Sequence, residues 1–286
     1  MKEEIIAGIT YYKPYVTLLQ DTGLGVPEYA ARTCYDSFEM SENNTIKELD
    51  YQLSSYIGQD HFDECYKEDL NNIKDSKLLD DLAWTHFHHS ILEHTNLSYL
   101  VKGTSRGVLQ EHSRHRIQGI SVRSTRYTMG SVINAFVASL YEENSKVVFM
   151  KLVLPMKMFV VQGNTELLEI NMLWEKLNHQ RNTMSGEEFI DLTLSKSAKE
   201  STIWLSDMDN AQEIFEAFQR AKAKRNVGDV FKWVVTDTWK VDMVFTFNLR
   251  SLKNYFGLRD SGAAYFQIKW LAQAMKNVTP LKYMKL

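Results

Sequence analysis

Four arginines and a histidine crowd the stretch SRHRIQGISVRSTRY, residues 113–127: Arg114, His115, Arg116, Arg123 and Arg126. Between Glu93 and Glu142 the only acid is Glu111, against six bases, although the whole chain carries a formal net charge of −3. A solvated helix face usually interleaves both signs. Here the bases sit among Gly119, Ser121, Ser124 and Thr125. Small hydroxyl residues and backbone N–H groups beside guanidinium forks suit a phosphate, because each fork can donate two parallel hydrogen bonds. A basic surface loop, or ion pairs with the acidic 36–81 region, would explain the same charge. Helical spacing places Glu111 with Arg114 and His112 with Arg116. His115 lies between two arginines, which disfavours its charged form.

Two further clusters carry polar chemistry. HFHHSILEH, residues 86–94, holds four of the eight histidines. Its spacing is neither H-E-x-x-H nor H-x-x-E-H and no cysteine is near, so it reads as the polar edge of a ligand pocket and no metal is expected. FNLRSLKNYFGLRD, residues 247–260, brings Asn248, Arg250, Asn254 and Arg259 to a strand-to-helix junction, where ligands often bind. Capping and surface charge would account for the same residues.

The elements that must position these groups follow from periodicity. NLSYLVKGT, residues 96–104, alternates apolar residues and reads as a strand. Thr104 or Ser105 can cap a helix that contains Val108, Leu109 and His112 and ends near Arg116, with Gly119 in the next loop. Residues 241–249 read as a strand, and 250–259 as a short helix with Gly257 near its end. Asp260 or Ser261 then caps a final helix with Ala264, Ile268, Leu271 and Met275 on its apolar face. Upstream, residues 5–18 read as a strand with flanking loop, and Pro27 as the first position of a helix. Residues 36–81 read as solvated acidic helices, 151–161 as strand or helix, and 209–224 as a helix. No chemistry attaches to the middle third.

Composition sets the frame. Chain length and hydrophobic content suit a globular protein with a sizeable core. The slightly acidic balance argues against a general nucleic-acid or membrane-surface binder. Two cysteines, Cys34 and Cys65, are too few for a disulfide framework and suit a reducing compartment. The N-terminal residues lack a signal-peptide pattern and no apolar run is long enough to span a bilayer, so a cytoplasmic location is expected. With four prolines, no linker and no internal repeat, a single domain is expected.

The three clusters together resemble the flavin-dependent thymidylate synthase family. That family's Arg-His-Arg, seven residues, Ser signature appears as Arg114-His115-Arg116 followed by Ser124, Thr125, Arg126 and Tyr127. Its N-x-R-S-L-x-N-(F/Y)-x-x-L-R pattern runs from Asn248 to Arg259, its H-x-(T/S)-x-x-E-H pattern from His88 to His94, and its A-R-x-(S/C)-(F/Y) element from Ala31 to Tyr35. The match covers roughly residues 28–35, 86–127 and 228–275. The resemblance implies an α+β fold, with a mixed or antiparallel sheet packed against helices in a single domain and a largely helical, poorly matched insertion at about 131–226.

It also implies a reaction: methylation of deoxyuridylate (dUMP) at C5 to thymidylate. Methylenetetrahydrofolate would be the carbon donor, FAD the cofactor and NADPH the reductant, in a homotetramer with shared sites. By matching position, Glu111, Arg114, Ser124, Thr125, Arg126 and Lys232 would hold the nucleotide. Ser90, Arg114, His115, Arg116, Asn248, Arg250 and Asn254 would contact FAD. Arg259 would face the uracil ring as the catalytic residue. Two positions depart from the pattern: Val122 stands where the family has a carboxylate, and Lys232 where it has an arginine. A non-catalytic nucleotide- or RNA-binding protein using the Arg114–Arg126 motif, or an inactive family member, are the competing readings.

Overall fold

The computed structural model describes residues 3–44, 46–48, 77–140, 142–154, 160, 164–183 and 231–285. In chain order its main elements are β1 (Glu3–Ile6), β2 (Ile9–Tyr12), β3 (Tyr15–Asp21), α1 (Gly25–Tyr35), β4 (Asn96–Ser105), α2 (Arg106–His112), β5 (Gly119–Val122), α3 (Gly130–Ser139), α4 (Ser145–Val153), α5 (Asn164–Asn182), β6 (Lys240–Asn248), α6 (Leu249–Arg259), α7 (Phe266–Val278) and α8 (Leu281–Lys285). The chain divides into two compact units. One comprises residues 1–13, 103–110 and 122–242; the other comprises 14–102, 111–121 and 243–286.

Among its described residues, the first unit is mostly helical. Strands β1 and β2 form an antiparallel hairpin closed by Ala7 and Gly8, both at positive φ (52° and 79°). That two-residue turn matches strand twist, and glycine takes the left-handed backbone without strain. Helix α4 packs against both α3 and α5. Their contact is aromatic: the Phe136 ring lies 5.8 Å from Phe149 and 4.9 Å from Trp174, and all three are buried. Ile133, Leu177, Phe231 and Trp239 extend the same apolar cluster.

The second unit carries the sheet, in the order β3-β4-β6-β5. Strand β3 pairs antiparallel with β4 from Tyr15↔Lys102 to Asp21↔Leu97, with an irregularity between Leu18 and Gln20. Leu97, Tyr99 and Val101 on β4 and Phe245 and Phe247 on β6 are buried, as period-two strands require. Helix α7 packs on β3 with Ile268, Leu271 and Met275 in the core. Helix α6 packs against α7 and against the turn His89–His94. An α+β architecture with helices on an antiparallel sheet results, as the resemblance implies. Among the described residues, no helix is long and apolar enough to cross a membrane.

Several local expectations are corrected. Residues 5–18 contain parts of three strands rather than one. Helix α1 starts at Gly25, so Pro27 is its third residue. The missing N–H costs nothing there, because the first turn has no intrahelical acceptors to use. Helix α2 stops at His112, short of Arg116, although Ser105 Oγ does accept from the Val108 N–H at 3.3 Å, as a cap should. Gly119 begins strand β5 rather than marking a loop. Helix α7 begins at Phe266, after Ala264, with Tyr265 as its uncapped N-terminal neighbour, and α8 follows it. Asp260 instead pins α7 from outside: its carboxylate accepts from Gln273 at 3.2 Å and Lys276 at 2.5 Å. In the 151–161 stretch, α4 extends to Val153. Most of 36–81 and all of 209–224 lie outside the described residues.

Candidate functional site

Where β6 ends, Asn248 turns the chain into α6. Its backbone is extended (φ −74°, ψ 161°) and its side chain accepts from the Ser251 N–H at 2.8 Å, a side-chain N-cap. The backbone N–H of Leu249 donates to Thr95 O at 2.9 Å, which ties the start of α6 to the β4 entrance. The helix therefore leaves the sheet in a fixed direction and carries Arg250, Ser251, Lys253, Asn254, Tyr255 and Arg259 with it.

Opposite α6 lies the stretch 111–118, which takes in the last two residues of α2. Arg259 binds it with three donors. Its Nε donates to His115 Nε2 at 2.9 Å, one terminal nitrogen to Glu111 Oε2 at 2.8 Å, and the other to the Glu111 backbone oxygen at 3.1 Å. Arg114 lies 4.0 Å from the other carboxylate oxygen of Glu111. So the i,i+3 relation between Glu111 and Arg114 holds, while His112 and Arg116 do not share a helix face because α2 has already ended. Gln118 Nε2 donates to the backbone oxygens of His112 (3.1 Å) and His115 (2.7 Å) and closes the turn between them.

An aromatic cluster walls the inner side. Tyr255 and Phe247 flank His115 at 4.7 and 6.5 Å, and Phe245 lies 4.4 Å from His112. Buried His112 shares a hydrogen bond of 3.2 Å between its Nδ1 and the Tyr255 hydroxyl. Burial drives the His112 pKa down to about 3; its neighbour Gln118 opposes this, and His115 and Arg259 reinforce it. Burial likewise pushes the Tyr255 hydroxyl up. His115 is lowered from 6.5 by burial first and Arg259 second, with Glu111 opposing. A lowered value is the direction that the flanking arginines led one to expect, but the cation responsible, second to burial, is Arg259.

Two adjoining cavities open here. One, of about 640 Å³, is lined by Arg114, His115, Arg116, Asn254 and Arg259, among others. The next, of about 680 Å³, is lined by Trp84, His89, Arg250, Lys253 and Asn254, and shares Ile117, Ser251 and Asn254 with the first. Arg250 is paired with Glu93 at 2.5 Å, both about half exposed. Lys253 Nζ lies 5.2 Å from the centre of the Trp84 ring, and burial lowers its pKa from 10.5. Cationic forks, an amide, a hydroxyl and flat rings around such volumes form a donor set suited to an aromatic phosphate ester.

Other expected site residues are placed less centrally. Ser90 is exposed in the His89–His94 turn, and the Asn248 side chain is committed to its cap. Ser124, Thr125, Arg126 and Lys232 belong to the first unit. Thr125 is buried and accepts from Arg106 at 3.3 Å, Ser124 precedes the single turn Thr125–Thr128, and Arg126 and Lys232 are exposed. In the histidine-rich run, Tyr35 Oη and His88 Nδ1 lie 3.2 Å apart. Sequence reasoning missed Trp84, Lys253, Tyr255 and Phe247. The last two had a signal, since Phe247 and Tyr255 lie on the strand and helix that flank Asn248. Lys253 lay at a variable position of the C-terminal pattern, and Trp84 had no local signal.

A family model described as thymidylate synthase complementing protein matches residues 17–280. The flavin-dependent thymidylate synthase of Campylobacter jejuni (strain RM1221) is 26% identical over 270 residues, covering 94% of this chain and 93% of that one. The flavin-dependent thymidylate synthase of Wolinella succinogenes is 25% identical over 268 residues, covering 94% of each. The crystal structure of thymidylate synthase X from Helicobacter pylori with FAD and dUMP superposes with a TM-score of 0.55 at 23% identity, over 94% of this chain and 95% of that one. The chain belongs to the thymidylate synthase complementing protein family.

Proposed function

We propose that this chain makes thymidylate from deoxyuridylate, taking the carbon from 5,10-methylenetetrahydrofolate and reducing power from NADPH through bound FAD. Family membership, the names of the relatives and the FAD and dUMP held by the Helicobacter protein support this reading. The observation that carries it is the Arg259 guanidinium, anchored on Glu111 and His115 at the rim of an arginine-lined cavity.

FAD, when bound, supplies the redox chemistry. The chain supplies binding, orientation and charge. Arg114, Arg116, Arg250 and Asn254, with Ser90, are the proposed flavin contacts. Their forks and amide suit a diphosphate and a polar ring edge. His115 can join them through Nδ1 only, since Nε2 is engaged. Asn248 contributes indirectly, by capping the helix that carries Arg250 and Asn254.

For the nucleotide, Glu111, Arg114 and Arg259 are the proposed contacts in the second unit. Ser124, Thr125, Arg126 and Lys232 of the first unit are proposed on sequence position. Pyrimidine C5 must become electron-rich to attack a one-carbon unit. A guanidinium stabilises the negative charge on the ring without giving up its own proton. No thiolate is needed for that, and Cys34 is exposed at the end of α1. Val122, half-buried at the end of β5, offers no carboxylate, and Lys232 offers a point charge where a fork would grip two oxygens. Weaker nucleotide affinity than an arginine-bearing relative follows. A homotetramer in a cytoplasmic setting completes the proposal.

The test is an assay with FAD, NADPH, methylenetetrahydrofolate and deoxyuridylate. Thymidylate formation dependent on all four is expected. Flavin-free protein that binds RNA and forms no product would contradict the proposal.

A further inference from the structure

Arg259 has five N–H groups, and three are spent inside the protein: one on His115 and two on Glu111. A side chain meant only to meet a ligand would not be bound so completely. We infer that Glu111 and His115, beyond the ligand contacts proposed above, act as positioning residues that clamp the Arg259 guanidinium, and that His115 serves only as the neutral tautomer with its proton on Nδ1. This rests on the proposed role of Arg259 at the pyrimidine.

The geometry compels the tautomer. Arginine cannot act as an acceptor, so its Nε–H must be the donor and His115 Nε2 must hold a lone pair. The ring proton is then on Nδ1. Protonating Nε2 would remove the acceptor and set two cations 2.9 Å apart. The Tyr255 ring fixes the imidazole plane by an edge contact of 4.7 Å and 64°. Phe247 meets it at 89° from β6. Glu111 completes the clamp and balances charge, because its carboxylate lies between Arg259 and Arg114. Two Arg259 N–H groups remain for a ligand, and their direction is set by the three that are taken.

A pH dependence follows. The charged and titratable groups around His115 are Glu111, His112, Arg114 and Arg116 of its own segment and Tyr255 and Arg259 of α6. Burial and Arg259 lower its pKa below 6.5, with Glu111 opposing. Above that lowered value the ring is neutral and the clamp is intact. As pH falls through it, the ring gains a proton, the Arg259 bond is lost and turnover falls.

Two readouts on the full chain test the clamp. Imidazole ¹⁵N NMR should show His115 as the Nδ1–H tautomer, titrating below 6.5. Arg259→Ala should raise that pKa, and Glu111→Gln should lower it further. An Nε2–H tautomer, or a titration unmoved by Arg259→Ala, overturns the inference whether or not the protein makes thymidylate. In the assay, His115→Leu should lower kcat per bound flavin by about tenfold to a hundredfold, the usual size of a lost bond to a charged group. His115→Gln, whose amide oxygen can accept from Arg259, should recover most of that loss and abolish the acid limb of the pH profile. A Gln variant with the wild-type acid limb would also overturn it. Wild type that is inactive with FAD and all substrates would refute the proposed function, leaving the NMR outcome to decide the clamp.

Discussion

The two units use aromatic residues in opposite ways. In the first, Phe136, Phe149 and Trp174 pack ring against ring. In the second, Phe245, Phe247 and Tyr255 surround two histidines, and the outer one holds an arginine. The first arrangement gains stability from area removed from water. The second spends apolar surface on keeping imidazoles neutral, because burial disfavours their charged forms. Packing that only stabilises and packing that tunes a charge can be told apart by what lies at the centre of the cluster.

This contrast can be broken at three points of decreasing size. Phe136→Ala should destabilise the fold by about 3–5 kcal/mol, the usual range for a truncated buried aromatic. Chemical denaturation would read the loss, while activity per folded molecule should change far less. Arg259→Ala should do the reverse. Thymidylate formation should fall by about a hundredfold to a thousandfold, as when one charge-stabilising donor is removed. The loss of stability should be smaller than for Phe136→Ala, since Glu111 is about one-third exposed and can be hydrated. Equal activity of the variant and wild type would remove Arg259 from the reaction. Asn248→Ala should cost about 1 kcal/mol, the value of a helix cap. Its flavin affinity should fall more than its stability, because the cap aims Arg250 and Asn254.

Much of the second unit was legible in the sequence, because strong local signals agreed there. Alternation marked β4, and the stretch 250–259 read as a short helix, which α6 confirms within a residue. Strand β5 was hidden, since it is only four residues long and begins at Gly119, a residue that reads as a loop signal. The β1–β2 hairpin was hidden as well, because its turn places Ala7 where Gly or Asn is usual. For the candidate site, Glu111, His115 and Arg259 were each singled out, yet the bonds that join them were not foreseen. Arg259 lies 144 residues from His115 and 148 from Glu111, and no local spacing encodes that pairing. Trp84 and Lys253 meet for the same reason, through folding rather than sequence proximity.

The measurement closest to the central claim is the visible spectrum of the purified full chain, with and without added deoxyuridylate. Bound FAD should give a yellow protein, and deoxyuridylate should perturb the flavin bands and speed their bleaching by NADPH. Colourless protein that cannot be reconstituted with FAD, or a flavin spectrum and reduction rate indifferent to deoxyuridylate, would contradict the account.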